Sequence, residues 1–328
     1  MNKLEEKTEE KTPVQFERMV SRGCGLDVHK KVIVATIDGE GLRRETREFT
    51  STTSSLTELR NWLLTKGVTH VAMESTGVYW KPVYNVLEPG GQLSVWVVNA
   101  RHIKYVPGHK TDRKDSAWIC KLLLAGLLKP SYIPPKAQRN LRDLTRYRVK
   151  LVQNVASNKN RIIRILEDAN IKLTSVLSDM SGVVATRLID KLMEKQVVTL
   201  SDIDELYHGK LGATKEELYE ACQGFFDEHH VYMLRLMRKE IASTQKSIEE
   251  LNKKIVEALA PYENAVELLK QVPGISTKSA EDLIAEIGLD ISVFPTEKHL
   301  ASWAGMCPGN NESAGKKKVD AQLREINR

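Results

Sequence analysis

The placement of four carboxylates limits what this chain can be more than any other feature. Asp27 follows the apolar run Gly23-Cys24-Gly25-Leu26, Glu74 ends the run Val71-Ala72-Met73, and Asp112 and Asp115 stand three residues apart ahead of a long apolar stretch. The first two runs read as strands, and the last pair opens a helix. Residues three apart on a helix share a face, with Cβ atoms roughly 5–6 Å apart, so Asp112 and Asp115 can point into one site. Hard divalent cations such as Mg2+ take oxygen ligands, and two ions about 3.5–4 Å apart can hold the attacking and leaving oxygens of a phosphoryl transfer. Acids gathered without a cation repel one another, and their pKa values rise. The spacing therefore points to metal-dependent chemistry on a phosphodiester.

With 43 Asp and Glu in the chain, four acids chosen for their position carry little weight until the elements around them are ordered. After Asp27 a turn at His29-Lys30-Lys31 leads to a second strand, Val32–Ile37, and then to a third around Glu45–Thr50. A helix is expected from Ser55, with Ser55-x-x-Glu58 as a capping box. Glu74 closes a fourth strand, Val78–Leu87 reads as a helix, Ser94–Val98 as a strand and Asp112–Leu128 as a helix. The order β-β-β-α-β-α-β-α is that of an RNase H-like mixed sheet, and open α/β sheets place their sites at the carboxyl ends of strands.

The segments Gly25-Leu26-Asp27-Val28-His29-Lys30, Met73-Glu74-Ser75-Thr76-Gly77-Val78-Tyr79-Trp80, Val98-Asn99-Ala100-Arg101 and Lys110-Thr111-Asp112-Arg113-Lys114-Asp115-Ser116 resemble DEDD-type insertion-sequence transposases of the insertion sequence 110/116/902 family. Their amino-terminal domain looks like the RuvC junction resolvase. The resemblance runs from about residue 23 to about residue 318. It implies Asp27, Glu74, Asp112 and Asp115 as catalytic ligands of Mg2+ or Mn2+, DNA as the substrate, and a structured guide RNA as a further partner.

Bulk properties agree with a nucleic-acid enzyme of the cytoplasm. No apolar run approaches the roughly 20 residues of a membrane helix, the first 20 residues are charged, polar and expected to be a disordered tail, and the four cysteines form no C-x-x-C pair. Charge is uneven: 16 Lys or Arg face three acids between Arg101 and Arg164, whereas the whole chain carries only +6. This block includes Arg101, Lys110, Arg113, Lys114, Arg139, Arg142, Arg146, Arg148, Arg161 and Arg164, and such a concentration of cations neutralises phosphates and makes binding salt-dependent. His29, next but one to Asp27, has no metal-ligand spacing and reads as a surface residue or a neighbour of the site.

Prolines 130, 134 and 135 end the first domain, expected over residues 21–135. Residues 136–262 then read as long helices, since Leu141, Leu144, Leu151, Val155, Ile162 and Ile165 recur at heptad-compatible intervals and Leu234, Met237, Ile241, Thr244, Ile248, Leu251, Ile255 and Ala258 keep a 3-4 spacing. That is the seam of a coiled coil or a two-helix hairpin, within one subunit or between copies. Residues 170–230 carry no assignable role. From 263 to the end a third domain is expected, beginning with a helix-hairpin-helix element around Val272-Pro273-Gly274-Ile275, where Gly274 suits the turn and the following helix N-terminus can face a phosphate. Trp303-Ala304-Gly305-Met306-Cys307-Pro308 and Glu312-Ser313-Ala314-Gly315-Lys316 extend the family resemblance, which implies Ser313 as the nucleophile. Read alone, the loop is a flexible turn. A hydroxyl needs activation by a base or a metal, which the carboxylate-bound ions would supply where the two motifs meet, in one subunit or across a dimer or tetramer. Lys316 and Lys317 would neutralise the attacked phosphate. After Lys318 the family pattern continues differently, so the last domain is expected to be incomplete. The reading is a transposase that cuts and rejoins DNA; its alternatives are a junction resolvase or nuclease using the acids alone, and a non-catalytic DNA-binding remnant.

Overall fold

The computed structural model describes residues 19–75, 77–99, 115–208 and 211–304, and the backbone of 312–313 and 316–317. Contacts divide the chain into two units, Met1–Ile133 and Pro134–Arg328. The helices expected as separate middle and carboxyl-terminal domains thus fall in one unit.

The first unit is built on five strands, β1 (Arg22–Val28), β2 (Val32–Gly39), β3 (Leu42–Thr50), β4 (His70–Glu74) and β5 (Ser94–Val98), in the spatial order β3-β2-β1-β4-β5. The β1–β2 and β2–β3 pairs are antiparallel, and β1–β4 and β4–β5 are parallel. This is the expected RNase H-like sheet. Helices α1 (Thr53–Thr65) and α2 (Trp80–Leu87) cover one face, burying Leu26, Ile33, Met73, Leu59, Leu63 and Leu87 in a single core. Each such side chain contributes about 1.5–3 kcal/mol. The proposed cap at Ser55 is not formed: α1 begins two residues earlier, and Ser55 Oγ instead accepts the Thr50 backbone N–H at 3.0 Å, tying the helix to the end of β3. Helix α2 starts at Trp80 rather than Val78, after a turn through Gly77.

Helix α3 (Asp115–Leu124) lies on the other face. Its Ile119, Leu122 and Leu123 pack on Ala72, Val98 and Trp96. The expected start at Asp112 lies outside the described residues, and the helix ends at Leu124 rather than Leu128. The Met19 and Val20 amides both donate to the Leu124 carbonyl, and Val20 is buried against Leu124 and Cys120. These two residues therefore belong to the folded unit rather than to a tail.

The second unit is an antiparallel pair of long helices, α4 (Lys136–Asp168) and, after a four-helix excursion, α9 (Glu228–Leu259). Leu141 packs with Ile255 and Leu259 at one end, Leu166 with Leu234 at the other, so the two seams meet inside one chain. The excursion, α5 (Leu173–Val176), α6 (Val183–Lys195), α7 (Leu200–Leu206) and α8 (Lys215–Ala221), is the segment without an assignable role in the sequence. Its Leu177, Leu188, Leu192, Ile203, Leu218 and Phe226 form one core with Leu166 and Leu234 of the long helices. Its two ends are adjacent: the Phe225 amide donates to the Ala169 carbonyl at 2.7 Å, and the buried His230 ring stands between Asp227 at 2.6 Å and Asp168 at 3.3 Å. At the opposite end α10 (Glu263–Lys270) and α11 (Thr277–Ile287) bury Val266, Ala280, Ile284 and Ala285 against α4 and α9. Helix α12 (Glu297–Trp303) follows. Strands β6 (Glu312–Ser313) and β7 (Lys316–Lys317) form a small antiparallel pair.

Candidate active site

The sequence of β1 explains where the site sits. In a strand alternate residues share a face, and Gly23, Gly25 and Asp27 all point to the side of α3. A Cβ on Gly25 would stand 2.1 Å from the Ser116 carbonyl oxygen and 2.3 Å from the Cys120 amide nitrogen, and one on Gly23 would meet Leu123 and Leu124 at 3.1 and 3.2 Å. Two glycines thus form a groove in which α3 lies directly on the strand. Because Ser116 and Cys120 sit over Gly25 and Leu123 and Leu124 over Gly23, α3 runs antiparallel to β1. Its first residue, Asp115, is delivered to the end of β1 that carries Asp27.

Glu74 joins them through the parallel register. Gly25 pairs with Ala72 and Leu26 with Met73, so Asp27 and Glu74 are the next residues on neighbouring strands. Ala72 lies in the core under α3, and Glu74, two residues on, faces the same side. Three acids from β1, β4 and α3 therefore share the carboxyl edge of the sheet.

Their electrostatics record this. Burial raises the Asp27 carboxyl above the usual carboxylate value; the His29 ring opposes it by charge and by hydrogen bond, and the charges of Asp115 and Glu74 add to the rise. His29 Nε2 stands 3.0 Å from Asp27 Oδ2 while most of its side chain is exposed, so it is a surface residue that also neighbours the site. The donors are oxygen atoms of hard carboxylates, one partly desolvated and crowded by like charge, and that chemistry fits a hard divalent cation. Asp27, Glu74 and Asp115 are the described residues that could hold one, and Asp112 lies outside the described residues. Among the described residues no three His, Cys, Asp or Glu side chains stand close enough to form a preassembled metal cluster.

Of the basic block, Arg101, Lys110, Arg113 and Lys114 also lie outside the described residues. Several arginines of α4 are committed within the second unit. Arg142 donates to the Ala285 and Glu286 carbonyls at the end of α11, and Arg146 grips the Glu286 carboxylate with two bonds of 2.6 and 2.7 Å. Arg148, counted by sequence among the phosphate-neutralising cations, is 3% exposed, bonded to Glu281 and, at 2.7 Å, to Asp282. Its seam position turns it inward, away from any phosphate. Arg139 donates to the Pro134 carbonyl at 2.8 Å and Arg161 to Asn158 at 3.0 Å, while Arg161 and Arg164 remain exposed on the helix surface. Gly274, at φ +90, makes the turn between α10 and α11, and Ser276 caps α11 by accepting the Ser279 amide. Ser313 pairs in register with Lys316, and Glu312 with Lys317.

A mixed sheet in this order, with acids gathered at its carboxyl edge, is the architecture of RNase H-like enzymes acting on nucleic acids. A family model of the DEDD insertion-element 110 type, described as a transposase, matches residues 24–171, and one described as the transposase IS116/IS110/IS902 family matches residues 266–327. The chain belongs to this family of insertion-element transposases. A curated relative from Streptomyces coelicolor, the insertion element IS110 uncharacterized 43.6 kDa protein, is 24% identical over 222 residues, 63% of this chain and 55% of the relative. The chain thus spans about half the length of the curated relative it matches. Among the described residues no helix is long and apolar enough to cross a membrane.

Three residues packed around the first turns of α3, Gly25, Ser116 and Thr36, receive no role from the sequence alone. The first carried a signal, because a glycine inside a strand marks close approach of another backbone. The two hydroxyls carried none.

Proposed function

We propose that the chain binds DNA and cuts and rejoins its strands as the transposase of an insertion element, using divalent cations held by Asp27, Glu74, Asp112 and Asp115 and the hydroxyl of Ser313. The observation that carries this reading is Asp27, a partly buried acid at a strand end whose pKa is raised by burial and by the neighbouring charges of Asp115 and Glu74. Fold stability gains nothing from such crowding; a bound cation relieves it.

Mg2+ or Mn2+, when bound, would neutralise the phosphate and make a nearby hydroxyl more acidic. The chain's own residues would do the rest. Ser313 Oγ would attack phosphorus, forming a phosphoserine ester and releasing a strand-end hydroxyl; the hydroxyl of a second strand would then displace Ser313 and restore a diester. Lys316 and Lys317, opposite Ser313 and Glu312 on β7, would offset the charge of the attacked phosphate. The α10–α11 hairpin, with its turn at Gly274, supports a helix-hairpin-helix contact in which α11 offers backbone N–H groups to DNA phosphates. Arg161 and Arg164, together with Arg101, Lys110, Arg113 and Lys114, would hold the nucleic-acid backbone. Arg139, Arg142 and Arg146 would join them only by giving up part of their present partners. A structured guide RNA and a dimer or tetramer complete the reading.

The test is incubation with element-end DNA and Mg2+, followed by separation under denaturing conditions. The parent is expected to give protein–DNA adducts, Ser313→Ala none, and Asp27→Asn a loss of cleavage beyond about a hundredfold, since even groups that only orient metal ligands matter 10–100-fold. Cleavage without adducts, equal in Ser313→Ala and the parent, would instead identify a nuclease or junction resolvase. Binding without any cleavage would leave a non-catalytic DNA-binding protein.

A further inference from the structure

We propose that the buried hydroxyl pair Thr36–Ser116 is a positioning device for the carboxylate site, fixing the first turn of α3 and thereby Asp115 beside Asp27. The inference rests on the reading of these acids as cation ligands.

Thr36 and Ser116 are both 0% exposed, and their hydroxyl oxygens are 2.8 Å apart. Thr36 Oγ1 is also 2.9 Å from Thr46 Oγ1 on β3. Three hydroxyls thus run from the third strand, across the second, to Ser116 of α3, the residue after Asp115. Neighbouring core positions under α3 are apolar, so a hydroxyl chain here needs a reason beyond filling space. The glycine groove supplies the complementary half of the argument. A contact between helix backbone and Gly25 sets how closely α3 approaches β1, but it is non-directional and leaves the helix able to slide along the groove or roll about its axis. The bond between Thr36 and Ser116 is directional. Thr36 pairs with Gly25 across β1 and β2, so the bond anchors the helix beside the place where the backbones touch and removes both freedoms at once. Thr46 holds the Thr36 rotamer. Carboxylates that share a cation must be placed to within a few tenths of an ångström, and side chains that only orient such ligands affect metal affinity about 10–100-fold.

The experiment is Mn2+ titration of the full chain by calorimetry without DNA, paired with thermal unfolding of the metal-free protein. Thr36→Val keeps the shape and removes the hydroxyl; Ser116→Ala removes it from the helix side; Thr36→Ser keeps it. The first two are expected to weaken Mn2+ binding about tenfold, with the double variant no worse than either single one, and Thr36→Ser to stay within about twofold of the parent. A core truncation remote from the acids, Leu59→Ala, is expected to lower the unfolding midpoint and leave Mn2+ affinity alone. If Thr36→Val and Ser116→Ala behave like Leu59→Ala, the hydroxyls are structural only and the inference is overturned. Should Thr36→Val fail to fold, Ser116→Ala decides. Asp27→Asn separates the two levels of argument: loss of binding there with no effect of the hydroxyl variants rejects the positioning role alone, and Mn2+ binding undisturbed by Asp27→Asn rejects the carboxylate reading beneath it.

Discussion

The two units treat buried charge in opposite ways. At the carboxyl edge of the sheet, burial raises the Asp27 carboxyl, and the charges of Asp115 and Glu74 add to the rise against the opposing His29 ring. Inside the helical unit Arg148 is more deeply buried, yet Glu281 and Asp282 meet it directly, and although burial disfavours its charge those two bonds hold the guanidinium above its ordinary value. Charge gathered with its own sign is what the proposed cation site would use; charge gathered with the opposite sign holds α11 to α4. Net charge along the sequence does not distinguish them.

The contrast breaks most visibly at Arg148. Arg148→Ala leaves Glu281 buried without its partner and is expected to cost the second unit about 3–5 kcal/mol, read as a fall in its denaturant midpoint; a loss below about 1 kcal/mol would mean that the ion pair is not what holds α11 to α4. In the first unit the corresponding weak point is steric. Gly25→Ala pushes a methyl into the backbone of α3 and is expected to destabilise that unit by about 1–3 kcal/mol, while the helical unit unfolds as before. An unchanged midpoint would show that α3 does not rest on the strand.

Smaller effects sharpen the comparison. Asp202 closes the capping box of α7 with Thr199 and also meets Lys195 and Lys191, so its carboxyl lies well below the usual range, chiefly through the hydrogen bonds from Thr199. Asp202→Asn is expected to cost about 1 kcal/mol at neutral pH. A depressed folded-state pKa stabilises above the unfolded value, near 3.9, and the contribution fades as pH falls through the folded one. The difference between parent and variant should therefore hold from neutrality down to about pH 4 and shrink below it; a difference that grows in acid would contradict the assignment. Least of all for stability, Arg161→Gln with Arg164→Gln should leave unfolding unchanged and reduce the salt dependence of duplex binding by about 0.9 per lost phosphate contact. A slope unaltered by the pair would move the nucleic-acid surface elsewhere.

Much of this architecture was legible because short apolar runs and their order carry it. The strands follow from those runs, and Asp27 and Glu74 stand out as acids at their ends. The pairing of α4 with α9 inside one chain was not legible, since a heptad seam looks the same whether its partner is another segment or another copy. Arg148 was misread for a different reason. Counting charges placed it with the surface cations, although its spacing from Leu141, Leu144 and Leu151 already put it on the seam. Thr145 and Asn158, polar and 2% exposed, sit on the same stripe. Asp115 was found by its spacing, but what aims it is a missing side chain on Gly25 and the bond of its neighbour Ser116 to Thr36, 80 residues from Ser116 in sequence. Contacts of that kind leave no periodic trace.

The excursion between α4 and α9 leaves and returns at one point, where Phe225 meets Ala169 and His230 stands between Asp168 and Asp227. Chain closure there is already achieved, so exchanging the whole tip for a short turn adds little loop entropy, and the exchange need only cover Leu166 and Leu234, the long-helix residues that share the tip's core. The tip is in this sense an interchangeable cassette. Its length can grow or shrink by a whole subdomain while the register of the two long helices, and the hairpin carried at their far end, stays where it is.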